Sequence, residues 1–435
     1  MIRNTHVRRF SLLLISCLLV ECCLVQGAMA QDKSAENSPA QRPPIKLTDA
    51  ALELHRAALL IDGHNDLPWS LRSKEGGFNT FDISQRQSNG HTDIPRLREG
   101  GVGAQFWSVY VPNRTAYNGT ALATTIEQIE LVKLMVDRYP GDFALALSTD
   151  DVRRARADKK IASLIGVEGG YSIEESLANL RRLYDLGARY MTLTHSDSLS
   201  WADSATDEPI SRGLSPFGQD VVREMNRLGM LVDLSHVSPD VMKQAIRISQ
   251  SPIIFSHSSA RGVANHPRNV PDDVLKMLPE KDGVVMVNFF SGFVVPEAAA
   301  SSDAQLRPSR RRGAAAGEPT GDSAAQADAE AKEQAERRRR QARNIPRGTI
   351  HVVLDHIDHI AKVAGPNHVG IGSDYDGVSV LPEQLDDVSY YPYITQGLLD
   401  RGYTPEQIRG ILGENLMRVF RGAEETAKRM TTDAK

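Results

Sequence analysis

Cysteine is scarce in this chain of 435 residues. The three cysteines, Cys17, Cys22 and Cys23, all lie within the first thirty residues. A chain cleaved after residue 30 would contain no thiol, which excludes a disulfide framework and a thiolate metal site. Any metal ion in the folded part of the chain must then be held by histidine and carboxylate side chains.

A strong positive charge is also missing. The formal net charge is -4 and the pI is near 6.3, whereas a nucleic-acid-binding domain is usually basic, so we expect no nucleic-acid partner. With 24% charged and 41% hydrophobic residues, the chain has the balance of a soluble globular protein rather than a fibrous or wholly disordered one.

Residues 1–30 have the pattern of a cleaved signal peptide. Three arginines precede an apolar stretch at 10–20, and Ala28-Met29-Ala30 is typical of a cleavage site. The stretch is shorter than the roughly 20 residues of a spanning helix. We therefore expect a periplasmic or secreted protein with no transmembrane helix after cleavage. The alternative is a lipid anchor at Cys17, because LISC at 14–17 resembles a bacterial lipobox.

The remainder of the chain alternates short apolar runs with longer amphipathic ones, which predicts an α/β fold with parallel strands. Strands are predicted at 59–63, 102–110, 143–148, 163–167, 190–194, 230–235, 253–256, 284–289 and 369–373. Helices are predicted at 121–138, 173–186, 216–228, 239–249, 350–364 and 404–420. A (β/α)₈ TIM barrel with insertions can hold a chain of this length as one domain, although several domains remain an alternative at this point. We expect a flexible leader at 31–46, a candidate barrel domain at 47–425 and a polar tail at 426–435.

Residues 297–343 depart from this pattern. They contain no aromatic residue and one large aliphatic residue, Leu306, and are rich in alanine and arginine. Such a segment cannot bury enough apolar surface to offset the entropy of ordering it. We expect a surface insertion within the barrel, the alternative being a basic patch for an anionic surface or partner.

Titratable side chains follow six of the predicted strands at the carboxyl end of each. In a (β/α)₈ barrel these ends share one face, where active sites are built. We therefore expect one site, while the histidines on helical patterns or beside turns are assigned surface or capping roles. The candidate site residues are His64, Asp66, Glu168, His195, His236, His257 and Asp374, and the histidines assigned surface or capping roles are His55, His91, His351, His356, His359 and His368.

Five of these candidates form a metal-ligand set. His64 and Asp66 are two residues apart and would point to the same side of an extended strand. Glu168, His236 and His257 bring the set to three imidazoles and two carboxylates. That is too many ligands for one tetrahedral zinc ion, but it suits two ions that share a bridging carboxylate. Zinc is favoured, with manganese, cobalt or iron as alternatives.

As a set, the segments around these residues resemble the membrane (renal) dipeptidase family of zinc peptidases. The similarity keeps its order over about residues 50–421. The matching segments are IDGHNDLPW at 61–69, GVEGG at 166–170, LTHSDSLSWADS at 193–204, LVDLSHVS at 231–238, FSHSSARGVANHPRNVPDDVL at 255–275, GIGSDYDGV at 370–378 and ENLMRVF at 414–420.

The resemblance implies a two-zinc barrel enzyme that cleaves dipeptides, often with a D-residue in the second position, and that often forms a homodimer. His64 and Asp66 would hold one zinc ion, His236 and His257 the other, and Glu168 would bridge them.

The resemblance also implies substrate-binding roles. His195 would stabilise the tetrahedral intermediate, and Arg268 would bind the substrate carboxylate. Asp374 would bind the free amino group and take part in proton transfer. Two alternatives remain open: a related two-metal amidohydrolase for a β-lactam, lactone or N-acyl amino acid, and a metal-dependent peptide-binding protein without turnover.

Overall fold

The computed structural model of the protein describes residues 42–73, 77–300 and 344–433. The signal peptide predicted at 1–30, the lipid-anchor alternative at Cys17, most of the predicted leader and residues 301–343 of the insertion lie outside the described residues. Within the described ranges, a search for a helix with the length and hydropathy of a membrane span finds none.

Parallel β-strands form the centre of the fold. Each strand pairs with its neighbours in parallel, and the pairing of β2 with β4 closes a ring of eight strands, β1, β2 and β4 to β9. The predicted (β/α)₈ barrel is therefore confirmed. The strands are β1 Leu60–Asn65, β2 Val102–Tyr110, β3 Phe143–Leu145, β4 Ile161–Glu168, β5 Ala188–Thr192, β6 Leu231–Asp233, β7 Ile253–Phe255, β8 Val284–Val287 and β9 Val369–Ile371.

The short strand β3 lies outside this ring. It pairs with β4 at 161–163, on the side that β5 occupies from Ile165 onward. It therefore widens the sheet at the amino-terminal end of β4 and leaves the carboxyl ends of the ring strands unchanged.

Helices connect the strands on the outside of the barrel. They are α1 Asp49–Ala57, α2 Leu67–Arg72, α3 Ile94–Glu99, α4 Arg114–Tyr117, α5 Ala121–Arg138, α6 Thr149–Ala157, α7 Leu177–Asp185, α8 Pro216–Leu228, α9 Pro239–Ile248, α10 Asp272–Leu275, α11 Ser291–Val294, α12 Ile350–Ala364, α13 Tyr391–Asp400, α14 Pro405–Arg409 and α15 Asn415–Asp433.

Local sequence signals account for the ends of these helices. In α8, the Ser215 side chain accepts a hydrogen bond from the Gly218 N–H, and Pro216 occupies the first turn. The helix ends at Gly229, whose φ of 79° is in the left-handed region that glycine adopts without strain. The predicted bounds of 216–228 agree with the structure for this reason.

The helix predicted at 404–420 is interrupted. A π-helical turn, Gly410–Glu414, separates α14 from α15. Gly413 lies so close to strand β1 that an added Cβ would be 2.2 Å from the Leu59 carbonyl oxygen, and Asn415 donates to the Val369 carbonyl at 2.8 Å. These contacts with the sheet fix the turn, and a helical periodicity does not reveal them.

Two large hydrophobic clusters fill most of the described part of the molecule, and a third is limited to Val111, Ala121 and Tyr171. One lies between the strands and the surrounding helices. The other takes the opposite face of the strands, including Phe106, Leu164 and Met286, together with Leu416 and Phe420 of α15. Helix α15 therefore covers the amino-terminal end of the barrel interior, and the carboxyl ends of the strands are left for a site.

The packed chain extends beyond 47–425. Ile45 is buried, and its backbone exchanges two hydrogen bonds with the Gln384 side chain. Helix α15 continues through most of the predicted polar tail, where Thr426 is buried. Ala298 and Ala299, at the start of the predicted insertion, are buried in a helical turn.

The surface or capping role predicted for His55 and His356 is wrong. Both rings are buried, and each uses both nitrogens: His55 contacts Thr395 and the Gly100 carbonyl, while His356 contacts the Ala260 N–H and Val294 carbonyl. Their positions on helical patterns gave no indication of these partners, which lie far away in the chain.

Candidate metal centre

The closed ring brings the carboxyl ends of the strands to one face of the barrel. His64 lies within β1, and Glu168 is the last residue of β4. Asp66 directly follows β1, and the remaining candidates follow their strands by two or three residues. All seven titratable candidates and Arg268 lie at this face of the barrel. His195 follows β5, His236 follows β6, His257 follows β7 and Asp374 follows β9.

Glu168 is at the centre of the cluster. Its Oε2 lies 3.4 Å from His64 Nε2, while its Oε1 lies 3.1 Å from His236 Nε2 and 3.6 Å from His257 Nε2. The two carboxylate oxygens thus face different imidazole groups. Ser108 donates a hydrogen bond of 3.0 Å to Oε2, which fixes the rotation of the carboxylate.

The other ligand-capable atoms converge in the same way. His64 Nε2 is 3.3 Å from Asp66 Oδ2, and His236 Nε2 is 2.9 Å from His257 Nε2. Among the described residues, three overlapping sets have ligand atoms within 4.8 Å of one another: His64, Glu168 and His257; Glu168, His195 and His236; and His64, Asp66 and Asp374.

The donor set fits metal ions. His64 Nε2 is buried without a hydrogen-bond partner in the described part of the chain, although its other nitrogen, Nδ1, lies 2.8 Å from the Tyr190 hydroxyl. A buried nitrogen in this condition is costly unless it binds something. Imidazole nitrogens and carboxylate oxygens around one shared carboxylate are suitable ligands for a pair of zinc-like ions.

Electrostatics prepare several groups for metal binding. Burial favours the neutral carboxyl of Glu168, but the adjacent His64, His195 and His236 outweigh burial and hold its pKa well below the usual range. Burial, assisted by the charge of Arg268, lowers the pKa of His236 and of His257. Metal ligands must be deprotonated, and these three groups already favour that form.

Asp374 has the opposite tendency. Burial raises its pKa to about 7, and the nearby Asp66 and Glu168 carboxylates add to this effect. Its Oδ2 accepts a hydrogen bond of 2.7 Å from Asn288 Nδ2. A carboxyl group that titrates near neutrality is suited to gain and lose a proton during a reaction.

The backbone is strained at two of these residues. His236 and Asp374 both have φ of 68°, a left-handed conformation that costs energy for residues with a side chain. A hydrogen bond of 3.1 Å from the Asp374 N–H to the His64 carbonyl holds one of them. Both turns direct a titratable side chain toward the cluster.

Arg268 is a buried cation with an incomplete set of partners. Arg268 is 2% exposed. Its guanidinium donates two long hydrogen bonds, one of 3.4 Å to Ser258 Oγ and one of 3.2 Å to the His257 carbonyl. Nε has no partner among the described residues. Burial lowers its pKa to about 10, partly opposed by Asp374, so it stays charged at neutral pH.

The His195 ring lies close enough to Glu168 and His236 to form a metal-ligand set with them. Its Nε2 is 3.4 Å from Glu168 Oε1, and its ring stacks on His236 with centroids 4.3 Å apart. Its side chain is 18% exposed, whereas that of His257 is 1% exposed, so His195 faces the opening of the site.

Several supporting residues were missed at the level of sequence. Asn288 directly follows β8, which ends at Val287, but it lies inside the strand predicted at 284–289, so the rule that polar residues follow strands did not identify it. Ser108 and Tyr190 lie inside strands, where their residue types give no signal. Their roles depend on neighbours that only the closed barrel provides.

Comparisons with known proteins agree with the geometry. The family model of the membrane dipeptidases, peptidase family M19, matches residues 48–434. An uncharacterized dipeptidase of Schizosaccharomyces pombe is 40% identical over 379 residues, covering 84% of this chain and 81% of that protein.

Solved structures share the fold. The probable dipeptidase PvdM from Pseudomonas aeruginosa has a TM-score of 0.72 at 23% identity, over 87% of this chain and 98% of that one. A metallo peptidase from Rhodobacter sphaeroides, liganded with a phosphinate mimic of the dipeptide L-Ala-D-Ala, has a TM-score of 0.67 at 23% identity, over 84% and 99%.

Proposed function

Since the chain belongs to the membrane dipeptidase family, peptidase family M19, we propose that this metallo-dipeptidase uses two zinc ions to hydrolyse dipeptides whose amino and carboxyl ends are both free. His64 and Asp66 would hold one ion, His236 and His257 the other, and Glu168 would bridge them. The absence of cysteine after residue 23 leaves imidazole and carboxylate ligands, which favour zinc.

The observation that carries this proposal is the position of Glu168. Its Oε2 faces His64 and its Oε1 faces His236 and His257, so one carboxylate can serve two ions. Both its low pKa and its bond from Ser108 keep it ionised and oriented.

The bound ions would supply a water of lowered pKa and polarise the scissile carbonyl. Side chains of the protein would stabilise the oxyanion and transfer the proton. His195 donates to the oxyanion from the open side of the cluster, an interaction worth on the order of 10²–10³ in rate for donors of this kind. Asp374 accepts a proton and passes it to the leaving amine.

Arg268 and Asp374 together select dipeptides. The Arg268 guanidinium binds the substrate carboxylate, which completes its hydrogen bonds and compensates its buried charge. The Asp374 carboxylate binds the substrate ammonium. Both ends of the substrate are thereby fixed, so a longer peptide would place a neutral amide against one buried charge.

Dipeptides with a D-residue in the second position belong to the proposed substrates. The support is the similarity to the Rhodobacter sphaeroides peptidase, which was solved with a mimic of L-Ala-D-Ala. Export through the segment at 1–30 and assembly as a homodimer remain proposals from the sequence and from family resemblance.

The test is release of amino acids from L,L and L,D dipeptides and from their C-terminal amides, with metal analysis of the same samples. We expect two zinc ions per chain, cleavage of the free acids and loss of cleavage after chelation. Chelator-insensitive cleavage would refute the metal site. If zinc-loaded protein cleaves no dipeptide, a β-lactam, lactone or N-acyl amino acid becomes the substrate to test.

A further inference from the structure

Two buried aspartates join neighbouring strand ends in the same way. Asp233, the last residue of β6, accepts hydrogen bonds at Oδ1 from the N–H groups of Ser256 at 2.8 Å and Ser235 at 3.0 Å. Its Oδ2 accepts from the hydroxyls of Ser256 and Thr192, each at 2.6 Å. We call these four residues the Asp233 clasp.

The second arrangement, the Asp62 clasp, joins β1 to the end of β9. Asp62 Oδ1 accepts from the N–H groups of Ser373 at 2.8 Å and His64 at 3.3 Å. Its Oδ2 accepts from the Ser373 hydroxyl at 2.6 Å and from the Tyr391 hydroxyl at 2.7 Å. Both aspartates are 0% exposed and each has four donors, so the two clasps are matched in burial and bonding.

The clasps differ in what lies beyond the serine. Ser256 Oγ is 2.8 Å from Nδ1 of the next residue, His257. Ser373 precedes Asp374, and the other bonds of its hydroxyl in the described structure are with the His64 carbonyl and the Tyr375 N–H. The Asp233 clasp therefore reaches an imidazole, whereas the Asp62 clasp does not.

The bonding around Ser256 settles the direction of each hydrogen bond. The Ser256 hydroxyl has one proton, and it donates that proton to Asp233 Oδ2 at 2.6 Å. Ser256 Oγ must then accept the proton of the ring, which places that proton on His257 Nδ1. The other nitrogen, Nε2, keeps its lone pair and lies 3.6 Å from Glu168 Oε1.

We propose that Asp233 is a positioning residue that acts through Ser256 to hold His257 in the Nδ1–H tautomer, leaving Nε2 free to bind a metal ion. This inference rests on the proposed metal site and adds to it the group that prepares one ligand. Outer partners of metal-bound histidines typically contribute 10–100-fold to metal affinity.

An amide at position 233 would reverse this arrangement. In Asp233→Asn, the two backbone N–H groups that face Oδ1 require the amide oxygen there, so the NH₂ group faces Ser256. Ser256 must then accept from the amide and donate to His257, which moves the ring proton to Nε2, toward the metal position. Asp62→Asn makes the same reversal in a clasp that reaches no imidazole and serves as the matched control.

The experiment measures zinc affinity of the full chain by competition with a chromophoric chelator. We expect Asp233→Asn to weaken one of two sites by about 10–100-fold, and Asp62→Asn to weaken zinc binding much less. Equal losses in the two variants would overturn the inference and leave the two-zinc proposal intact. Failure of the unaltered protein to bind two zinc ions would refute the proposed function itself.

A second measurement does not depend on how well these variants fold. In the metal-free unaltered chain, the ¹⁵N imidazole spectrum should place the His257 proton on Nδ1, with the resonance assigned by its loss in His257→Gln. Ser256→Ala should weaken zinc binding more than Ser373→Ala, which removes an equivalent hydroxyl from the other clasp. A proton on Nε2 would overturn the inference.

Discussion

Individual residues at the carboxyl ends of the strands form the candidate site of this barrel, and most of them have a specific partner. Glu168 faces imidazoles with both oxygens, and Asp374 accepts a hydrogen bond from Asn288. Arg268 is the exception, since it is buried with unused hydrogen-bonding capacity. A buried cation of this kind is expected to gain most from a bound carboxylate.

Arg268→Ala should therefore reduce kcat/KM for free dipeptides by about 30-fold to several thousand-fold, since truncating one partner of a buried charged pair costs roughly 2–5 kcal/mol. Activity on C-terminal amides should change little. The measurement is kcat/KM for each dipeptide and its amide.

Arg261→Ala is the control for that variant. Arg261 lies in the same loop, but it donates to the main-chain carbonyls of Asn269 and Pro267. Its loss should affect free acids and amides alike. If Arg268→Ala also reduced both to the same extent, Arg268 would not be the carboxylate-binding residue.

At the scale of elements, close contacts between the main chains at the ends of different strands fix the positions of the site residues. An added Cβ at Gly372 would lie 2.0 Å from the Ser256 carbonyl oxygen, and one at Gly63 would lie 2.6 Å from the same atom. Glycine at these positions allows the ends of β1 and β9 to approach the segment that carries His257.

Gly372→Ala should lower the free energy of unfolding by roughly 1–3 kcal/mol, the usual cost of overpacking, because a main-chain atom cannot move aside as a side chain can. Gly141→Ala is the matched control, since no atom lies within 4 Å of its added Cβ. Urea unfolding measures the free energy of unfolding of both variants. Equal stability of the two variants would contradict the close approach.

Helix α12 holds the segment that leads to Arg268. His356 Nδ1 accepts from the Ala260 N–H at 2.9 Å, so the ring proton is on Nε2, which donates to the Val294 carbonyl at 3.0 Å. Burial lowers the pKa of His356 to about 4. The folded chain therefore binds this proton less readily than the unfolded chain, whose pKa is near 6.5.

The sign of the resulting pH dependence follows from that difference. The stability contributed by neutral His356 is complete above pH 6.5 and is lost as pH falls toward 4. Between pH 7 and 5, the free energy of unfolding of the metal-free protein should fall about 2 kcal/mol more than that of His356→Gln. His351→Gln, at a half-buried position in the first turn of α12, is the control and should behave as the unaltered protein does. A His356→Gln profile parallel to that of His351→Gln would contradict the assignment.

At the scale of the whole molecule, the barrel brings buried carboxyl groups close together, and bound metal ions would offset the repulsion between them. Asp66, Glu168 and Asp374 are all buried at one end of the ring. Ions that bind only the folded chain stabilise it by mass action, by about 2.7 kcal/mol for each site at 100 times its Kd.

Chelation should thus lower the Tm by several degrees, and zinc should restore it, as measured by calorimetry. Glu168→Gln should respond less to zinc because the bridging ligand is weakened. Glu224→Gln should respond as the unaltered protein does, since Glu224 pairs with Arg181 and Arg227 on the outer helices. A Tm unchanged by removal of the metal would contradict a site that couples binding to folding.

The sequence by itself determined the nine strands of the described residues and the titratable residues at their carboxyl ends, and its family resemblance implied the barrel. This was possible because strand periodicity is local and because parallel strands in a closed ring share their carboxyl ends. It also determined that only imidazole and carboxylate could bind metal in a chain without cysteine after residue 23.

The tertiary structure alone decided which atoms meet. The hydrogen bond between Asp233 and Ser256 and the two hydrogen bonds of His356 join residues on different strands and helices. The burial of Arg268 Nε without a partner among the described residues also arises only in the folded chain. Such contacts depend on the register and closure of the ring, and no local pattern encodes them. Burial, and with it the pKa of Asp374, likewise arises only once the chain is packed.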